Sequence, residues 1–415
     1  MPVVALLGTL DTKGAEYEWL RERLLRRAVD VVLIDTGVAG EPRVPADIAR
    51  AEVARAAGAD IARLRAQGDR GSAVTTMAEG AAEVVRRLHA RGRLHGVLAI
   101  GGSGGTSIAT RAMRALPLGV PKLMVSSMAA GDVSPYVGAA DIAMMYSVVD
   151  IAGVNRVSAP ILANAADAIA AMATGFATDA PPPPADDRPL VAASMAGVTT
   201  PGVDAARQRL TDLGYEVLVF HSVGSGGRSL ETLAAQGMFS GVLDLTLSEL
   251  ADDLVGGTFG AGPDRLRAAG RAGVPQVVSP GALDMVKFGP LASLPDRFRS
   301  RHVHVHNPSV TVIRTTAAEC AALGRQVAEK LRAATGPAAL LLPLRGLSTL
   351  GAPGGPYHDP SVDEVLFTAL RDGLRGSRVE LAAYDTHLND PEFGRAAADR
   401  LHALIAANDP ARAPR

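Results

Sequence analysis

The chain has 415 residues, more than one ordinary hydrophobic core fills and enough for two α/β domains. Hydrophobic residues make up 47% and aromatic residues only 4%, which favours helix-covered parallel sheets over an antiparallel sandwich or barrel. The 42 basic and 43 acidic residues nearly cancel, and this balance argues against a nucleic-acid-binding protein.

The first part of the chain alternates between short apolar strands and longer amphipathic helices. This alternation predicts right-handed crossovers and a mostly parallel sheet. The predicted strands are Val3–Leu7, Val31–Asp35, Gly96–Ile100 and Lys122–Ser126, and the predicted helices are Ala15–Ala28, Asp47–Ala56, Met77–Arg91 and Ser107–Leu116.

A proline-rich segment, ATDAPPPPADDRP at 177–189, interrupts this rhythm. Four consecutive prolines remove backbone donors and favour an extended chain, so neither a helix nor a central strand is expected there. We therefore predict an N-terminal domain at 1–180, a linker at 181–188 and a C-terminal domain at 189–415.

The same rhythm starts again after the linker. The fold class predicted is α/β, with two Rossmann-like, doubly wound domains whose mostly parallel sheets face a cleft. The second set of predicted strands is Leu190–Ser194, Glu216–Phe220, Gly241–Leu245, Gln276–Ser279, His302–His306, Ala339–Leu342 and Val379–Tyr384, with helices at Pro201–Leu213 and Ser248–Leu254.

Four strands end in polar turns that contain glycine. Glycine lets the backbone approach an anion closely, and the free N–H groups at the start of the following helix add a partial positive charge. The turns therefore predict phosphate or carboxylate binding, although glycines that serve packing alone remain an alternative. Their sequences are GTLDTKG (8–14), GGSGGTS (101–107), SSMAAGD (126–132) and HSVGSGG (221–227).

The turns match neither a Walker A sequence nor the dinucleotide fingerprint. Lys13 could reach a phosphate, with Asp11 as a candidate metal-bound or neighbouring acid; the alternative is an ordinary helix start with Asp and Thr caps. Lys122 is expected to be a charge at the edge of its strand.

Longer runs resemble a known family, the Tm-one-like ATP-binding proteins, which include bacterial proteins of unassigned function and the N-terminal region of a plant tobamovirus-resistance protein. The resemblance covers nearly the whole chain. It is carried by GTLDTKG (8–14), DRGSAVTTMAEGAA (69–82), the run at 101–156, SPGALDMVKFG (279–289), HNPSVTVIRTT (306–316), RGLSTLGAPGGPYHDP (345–360) and HLNDPEF (387–393).

The resemblance implies ATP and a divalent ion, Mg²⁺, bound by the N-terminal domain, and assembly into homodimers or larger homo-oligomers. By position it also implies a set of nucleotide-binding residues. These are Gly8, Thr9, Asp11, Lys13, Gly102, Ser103, Gly104, Gly105 and Thr106.

The C-terminal half contains more polar turn residues than a scaffold needs. Arg345 suits bidentate binding of a carboxylate or phosphate, and His387 could act as an acid or base oriented by Asp390, although capping of the next helix is an equal alternative. Lys287 completes this candidate catalytic set. The alternating HVHVH at 302–306 could hold a metal, but a hydrogen-bonded or exposed strand face is favoured.

Three functions are therefore considered. The first is an ATP-binding protein that uses or senses nucleotide at the interdomain cleft. The second is a hydrolase or lyase acting on a small carboxylated or keto-acid metabolite through Lys287, Arg345 and His387, and the third is a non-catalytic interaction protein. The lone Cys320, predicted to be buried, and the absence of a signal-like or membrane-spanning segment indicate a cytoplasmic protein.

Overall fold

The computed structural model describes residues 1–178 and 188–408. The chain divides into two compact units, one ending at Asp186 and the other beginning at Asp187. The predicted linker at 181–188 lies outside the described residues except for its last position. Each unit is built on its own parallel sheet, so the predicted fold class, two α/β domains with mostly parallel sheets, is confirmed.

The N-terminal unit contains one five-stranded parallel sheet in the order β2-β1-β3-β4-β5. Its strands are β1 Val3–Gly8, β2 Asp30–Asp35, β3 Gly96–Gly101, β4 Lys122–Ser126 and β5 Ala143–Tyr146. Its helices are α1 Leu10–Arg26, α2 Arg50–Ala56, α3 Ile61–Gln67, α4 Arg70–Ala90, α5 Ser103–Arg114, α6 Ser134–Val137 and α7 Ser158–Thr178.

Side chains of the central strand β1 alternate between two helical layers, because successive residues of a strand point to opposite faces. Val4 and Leu6 pack with residues of α1 and α7, whereas Ala5 and Leu7 pack with residues of α4 and α5. This two-sided burial explains why β1 is an uninterrupted apolar run.

Helix α7 is, within the described residues, the one helix long and apolar enough to cross a membrane by length and composition. Its residues Leu162, Ala166 and Ile169 are buried in the core beside β1 and β3. Because the core helix of a globular unit passes the same test, we interpret α7 as a core helix.

The C-terminal unit contains a six-stranded parallel sheet in the order β14-β13-β9-β8-β6-β7 and a small antiparallel sheet in the order β10-β12-β11. Its strands are β6 Leu190–Met195, β7 Glu216–His221, β8 Gly241–Asp244, β9 Gln276–Val278, β10 Met285–Phe288, β11 Val303–Asn307, β12 Val310–Arg314, β13 Ala338–Pro343 and β14 Glu380–Tyr384. Its helices are α8 Thr200–Asp212, α9 Ser225–Ala235, α10 Ser248–Val255, α11 Ala268–Arg271, α12 Ala317–Arg332, α13 Pro360–Leu374 and α14 Pro391–Asn408.

The predicted strand His302–His306 was wrongly assigned to the parallel set. It forms β11, which pairs antiparallel with β12 across the two residues 308–309. A connection this short can join only antiparallel strands, so the assignment to the parallel sheet was excluded by the position of the next strand.

Three predicted helix starts were also too late. Helix α1 begins at Leu10 rather than Ala15, α4 at Arg70 rather than Met77, and α5 at Ser103 rather than Ser107. In α5 the glycines belong to the first turn itself, where the Thr106 amide donates to the Gly102 carbonyl at 2.9 Å. The glycines therefore present the start of a helix, not a loop that precedes it.

A fully buried ion network ties the C-terminal unit together around Arg265. Its guanidinium contacts both carboxylate oxygens of Asp244, at 2.5 and 2.7 Å, and Glu249 at 2.6 Å. Glu231 lies 3.4 Å away. Burying these charges is tolerable only because they are paired and hydrogen-bonded.

Candidate functional site

The N-terminal unit has a cavity of about 870 Å³ at the carboxyl ends of β1, β2 and β3. In the strand order β2-β1-β3-β4-β5, β2 lies on one side of β1 and the later strands are added on the other side, so the switch point lies between β1 and β3. Ligands of such sheets bind in the crevice at the switch point. Seven of the nine predicted nucleotide-binding residues line the cavity: Thr9, Asp11, Lys13, Gly102, Ser103, Gly104 and Gly105.

The hydroxyl of Tyr17 bridges β1 and β3 just where the two strands separate. It donates to the Leu7 carbonyl at 2.6 Å and accepts from the Ile100 amide at 3.0 Å. The side chain is fully buried, and this burial raises the pKa of the phenol. The phenol thereby satisfies backbone groups at the ends of β1 and β3 and links the two strands beneath the crevice.

Gly8 is a predicted site residue that does not line the cavity. A Cβ at this position would lie 2.0 Å from the Tyr17 hydroxyl oxygen. Gly8 is therefore required for the packing of Tyr17 and acts on the site through the Tyr17 bridge.

We expect Gly8→Ala to destabilise the protein by about 1–3 kcal/mol, since an added methyl group in a packed core forces neighbouring atoms apart. Denaturant unfolding followed by circular dichroism measures this loss. The control is Gly175→Ala in α7, where an added Cβ meets nothing within 4 Å, and which should leave stability equal or higher. Equal stabilities for the two variants would contradict the assigned role of Gly8.

The start of α5 presents unsatisfied backbone donors to the cavity. Its N-cap residue, Gly102, has no side chain that could cap the helix, and Ser103, Gly104 and Gly105 follow in the first turn. The first amides of a helix have no partner within it, and the helix dipole adds to their positive potential. This arrangement favours an anion at the cavity.

Thr106, also predicted to contact nucleotide, is instead fully buried beneath this turn. Its hydroxyl lies 2.7 Å from the Ser126 hydroxyl and donates to the Gly102 carbonyl at 2.8 Å. Ser126 begins the predicted turn SSMAAGD and in turn accepts from the Met128 amide at 2.9 Å. Both hydroxyls therefore stabilise the start of α5 from its buried side, away from the cavity.

Two carboxylates hold the loops after β1 and β2. Asp11 accepts from the Ala39 and Gly40 amides at 3.1 and 3.0 Å through one oxygen, and its other oxygen, Oδ1, is buried without a hydrogen-bond partner within the described residues. Asp35 accepts from the Leu10 and Gly37 amides at 3.1 and 2.8 Å, and burial raises its pKa. Sequence reasoning missed Asp35, whose only signal is a carboxylate at the end of β2.

Three cationic side chains line the cavity, and one of them, Arg65, pairs with Glu41 at 2.9 Å. The Lys13 ammonium donates to the Ile151 carbonyl at 2.6 Å, and Arg70, which sequence reasoning missed, forms no ion pair with the described part of the chain. A Cβ on Gly104 would lie 3.7 Å from an Arg70 Nη atom, so this guanidinium faces the start of α5. An anion held by the α5 amides would therefore lie beside this positive charge.

The residues proposed for catalysis are not brought together in one cavity. Lys287 lines a smaller cavity of the C-terminal unit, which neither Arg345 nor His387 lines. Arg345 is exposed and pairs with Asp385 at 2.7 Å. His387 accepts from the Asn389 amide at Nδ1 and lies 2.9 Å from the Ser348 carbonyl at Nε2, so both ring nitrogens have backbone partners.

The glycine turn HSVGSGG was predicted to bind a phosphate or carboxylate, and two of its glycine amides bind a carboxylate of the chain itself. The carboxylate of Glu249 accepts from the Gly224 amide at 2.6 Å and the Gly227 amide at 3.0 Å. A Cβ on Gly227 would lie 2.1 Å from this carboxylate. The turn does bind an anion, but the anion is a side chain of the same chain, neutralised by Arg265.

Other predicted polar residues are structural. Cys320 is a buried free cysteine, as predicted. Within the described residues no group of three or more His, Cys, Asp or Glu side chains is arranged to hold a metal ion, and His302 and His304 contact the ring of Tyr357. Lys122 is not a strand-edge charge but a buried one, because its ammonium reaches Asp141 at 2.6 Å and two carbonyls.

Lys287 forms an ion pair with a deeply buried carboxylate. Its ammonium lies 3.4 Å from Asp252, and the Asp252 carboxylate also accepts from the Lys287 amide at 2.6 Å. Burial outweighs these contacts and raises the pKa of Asp252 to about 6. The folded state therefore binds this proton more tightly than the unfolded chain, and the associated stability is lost as pH rises through about 6.

As pH rises from 4.5 to 7, we expect the stability difference between Asp252→Asn and wild type to shift by about 2 kcal/mol in favour of the variant. The reason is that wild type loses the stability associated with protonated Asp252, whereas asparagine has no proton to lose. Urea unfolding of both proteins across this range measures the difference. A difference that stays constant with pH, or that falls as pH rises, would contradict the raised pKa.

The fold and the cavity together define a two-unit α/β protein whose first sheet carries a glycine-rimmed crevice at its switch point. The chain belongs to the uncharacterised protein family UPF0261. The N-terminal domain of that family matches residues 2–178, and its C-terminal domain matches residues 188–405.

Relatives support this membership. The chain is 44% identical to a UPF0261 protein of Clostridium tetani, over 96% of this chain and 98% of that protein. It is 36% identical to the ToMV susceptible protein tm-1(GCR26) of Solanum lycopersicum, over 96% of this chain and 55% of that protein, and the family resemblance seen in the sequence is thereby confirmed. The S. aureus MnaA–UDP structure is 10% identical over 100% of this chain and 99% of that chain, at a TM-score of 0.22, which is too weak to support an inference.

Proposed function

We propose that the N-terminal unit binds ATP together with Mg²⁺. The observation that carries the proposal is the start of α5, where Gly102 to Gly105 line the crevice with no side-chain cap. Backbone amides in this arrangement are a recurrent phosphate-binding device. The guanidinium of Arg70, which has no ion pair among the described residues, and the ammonium of Lys13 supply the positive charge that a polyphosphate requires.

The apolar part of the cavity wall suits a nucleobase. The volume of about 870 Å³ falls within the range of sites that enclose a ligand of nucleotide size. The resemblance to ATP-binding proteins specifies adenine. The apolar residues are Val38, Leu64, Ala73, Val74 and Ile108.

The acidic residues of the cavity fit a magnesium ion. Mg²⁺ is usually held by one or two carboxylates, with substrate phosphates and waters completing its shell, so a dedicated cluster of protein ligands is unnecessary. Asp11 offers a buried oxygen without a partner among the described residues, and Asp150 also lines the cavity. Asp69 is less suitable because its carboxylate caps α4.

Titration calorimetry with MgATP tests the proposal, with AMP and with ATP in excess EDTA as comparisons. We expect MgATP to bind saturably. AMP, and ATP in excess EDTA, should each bind more weakly than MgATP. Absence of saturable heat with MgATP would overturn the proposal. Phosphate release measured on the same samples distinguishes hydrolysis from binding alone.

Two further expectations accompany this function. The single cysteine is buried and unpaired, which suits the reducing cytoplasm. The resemblance also implies homo-oligomers, and light scattering of the purified chain with and without MgATP measures the assembly.

A further inference from the structure

The C-terminal unit repeats the strand arrangement that forms the crevice of the N-terminal unit. Counted from its first strand, the order β7-β6-β8-β9-β13 is the same as β2-β1-β3-β4-β5. The switch point of the second sheet therefore lies between β6 and β8, where the same rule places a ligand. A second cavity occurs at this position, with a volume of about 280 Å³.

The loops that line the second cavity correspond to those of the first. Ala196 to Val198 follow β6, His221 to Val223 lie at the end of β7, and Ser248 follows β8. In the first cavity the lining residues likewise follow β1, β2 and β3. The antiparallel sheet, which has no equivalent in the N-terminal unit, closes the other side through Lys287 and Val312.

The polar groups of this cavity converge on one place. The Lys287 side chain is 10% exposed, and its ammonium donates to the Ser248 hydroxyl at 2.7 Å and to the Ser222 carbonyl. Ser248 is the first residue of α10, which has no side-chain cap. The first residue of α10, its hydroxyl and the Lys287 ammonium therefore lie together at one part of the cavity.

No carboxylate lines this cavity in the described part of the chain. Asp252, the partner of Lys287, is fully buried and does not line it, so it balances the ammonium charge without blocking it. The remaining wall is mostly apolar, and three of its side chains, Val198, Met285 and Val312, are buried. Its members are Val198, Phe259, Met285, Val310, Val312 and Leu350.

We propose that this cavity is a second ligand site, which binds a small organic acid with its carboxylate at Lys287 and Ser248 and its apolar part against the valines. The volume of about 280 Å³, compared with about 870 Å³ for the first cavity, favours a ligand much smaller than a nucleotide. The site is independent of the proposed nucleotide site, because the lining residues of the two cavities belong to different units.

Isovalerate and its neutral isostere isovaleramide test the charge requirement in the full chain. The readout is the ¹³C-methyl NMR signal of Met285, which lines the cavity. We expect saturable shifts with isovalerate and at least tenfold weaker binding of isovaleramide. Equal affinities, or the absence of a saturable Met285 shift with isovalerate up to 20 mM, would overturn the proposal.

Two variants test the site residues. The double variant Lys287→Gln with Asp252→Asn removes the cation without leaving a buried carboxylate unpaired. It should lower the affinity for isovalerate at least tenfold. Val310→Phe fills the cavity from the antiparallel sheet without touching that ion pair, and it should abolish the Met285 shift. Unchanged isovalerate affinity in either variant would overturn the proposal.

Gly104→Val separates this site from the nucleotide site. This variant alters only the N-terminal cavity and should bind isovalerate like wild type. Loss of MgATP binding with retained isovalerate binding supports two independent sites. Loss of isovalerate binding in Gly104→Val would contradict their independence, whatever the result with MgATP.

Discussion

Replacing Gly104 by valine is expected to weaken MgATP binding at least about 100-fold without unfolding the protein. Gly104 lies in the first turn of α5 and lines the crevice. Its backbone has no positive φ, and a Cβ would approach only Arg70 and Val74, at 3.7 and 3.9 Å. A valine side chain is therefore tolerated by the backbone but occupies the place where an anion would meet the helix amides.

The size of the effect follows from the contacts that are lost. Charge-assisted hydrogen bonds contribute about 1.5–3 kcal/mol each, and two of them account for a change of about 100-fold or more in the dissociation constant. Calorimetry measures the affinity, and thermal unfolding checks the fold.

The matched control for this experiment is Gly175→Val. Gly175 lies in α7, outside the crevice, where an added Cβ meets nothing within 4 Å. This variant should bind MgATP like wild type. If Gly104→Val also bound nucleotide with wild-type affinity while remaining folded, the α5 start would not be the phosphate site.

The largest loss of stability is expected for Arg265→Met. This change removes the only cation that contacts Asp244 and Glu249 among the described residues, and both carboxylates are almost fully buried. Breaking a buried ion pair from one side typically costs 3–5 kcal/mol, since an uncompensated charge remains. Urea unfolding at pH 8 should show a loss of about this size.

Two comparisons sharpen this test. The loss should be smaller at pH 5 than at pH 8, because protons can neutralise carboxylates that have lost their cation. Arg267→Met removes a nearby arginine that pairs with the exposed Glu329, and a surface pair of this kind contributes at most about 1 kcal/mol. Similar losses for Arg265→Met and Arg267→Met would show that the buried network does not stabilise the unit.

The parallel sheets could be predicted from the sequence because their signals are local. A short apolar run such as Val3–Leu7, followed by an amphipathic helix, specifies a strand and its crossover without knowledge of distant residues. The antiparallel sheet was predicted only in part. The alternating residues 302–306 indicated β11, whereas β10 carries the polar Lys287, and its pairing with β12, which lies much further along the chain, is decided by tertiary packing.

The same distinction applies to the sites. The glycines at 102–105 identify the first crevice because the strand, the turn and the helix start are consecutive in the chain. Arg70 was missed because it reaches the crevice from another helix. The ligand of the turn at 221–227 was not identified because Glu249 lies 22 residues beyond Gly227 and no local pattern links them.

The Tyr17 bridge has a consequence for binding kinetics. Because a buried side chain fixes the ends of β1 and β3, these strand ends are ordered before a ligand binds, and the entropy cost of ordering them is incurred during folding. A nucleotide would then meet a site that is already formed, and its association rate would be limited by diffusion and orientation instead of by a slow opening step.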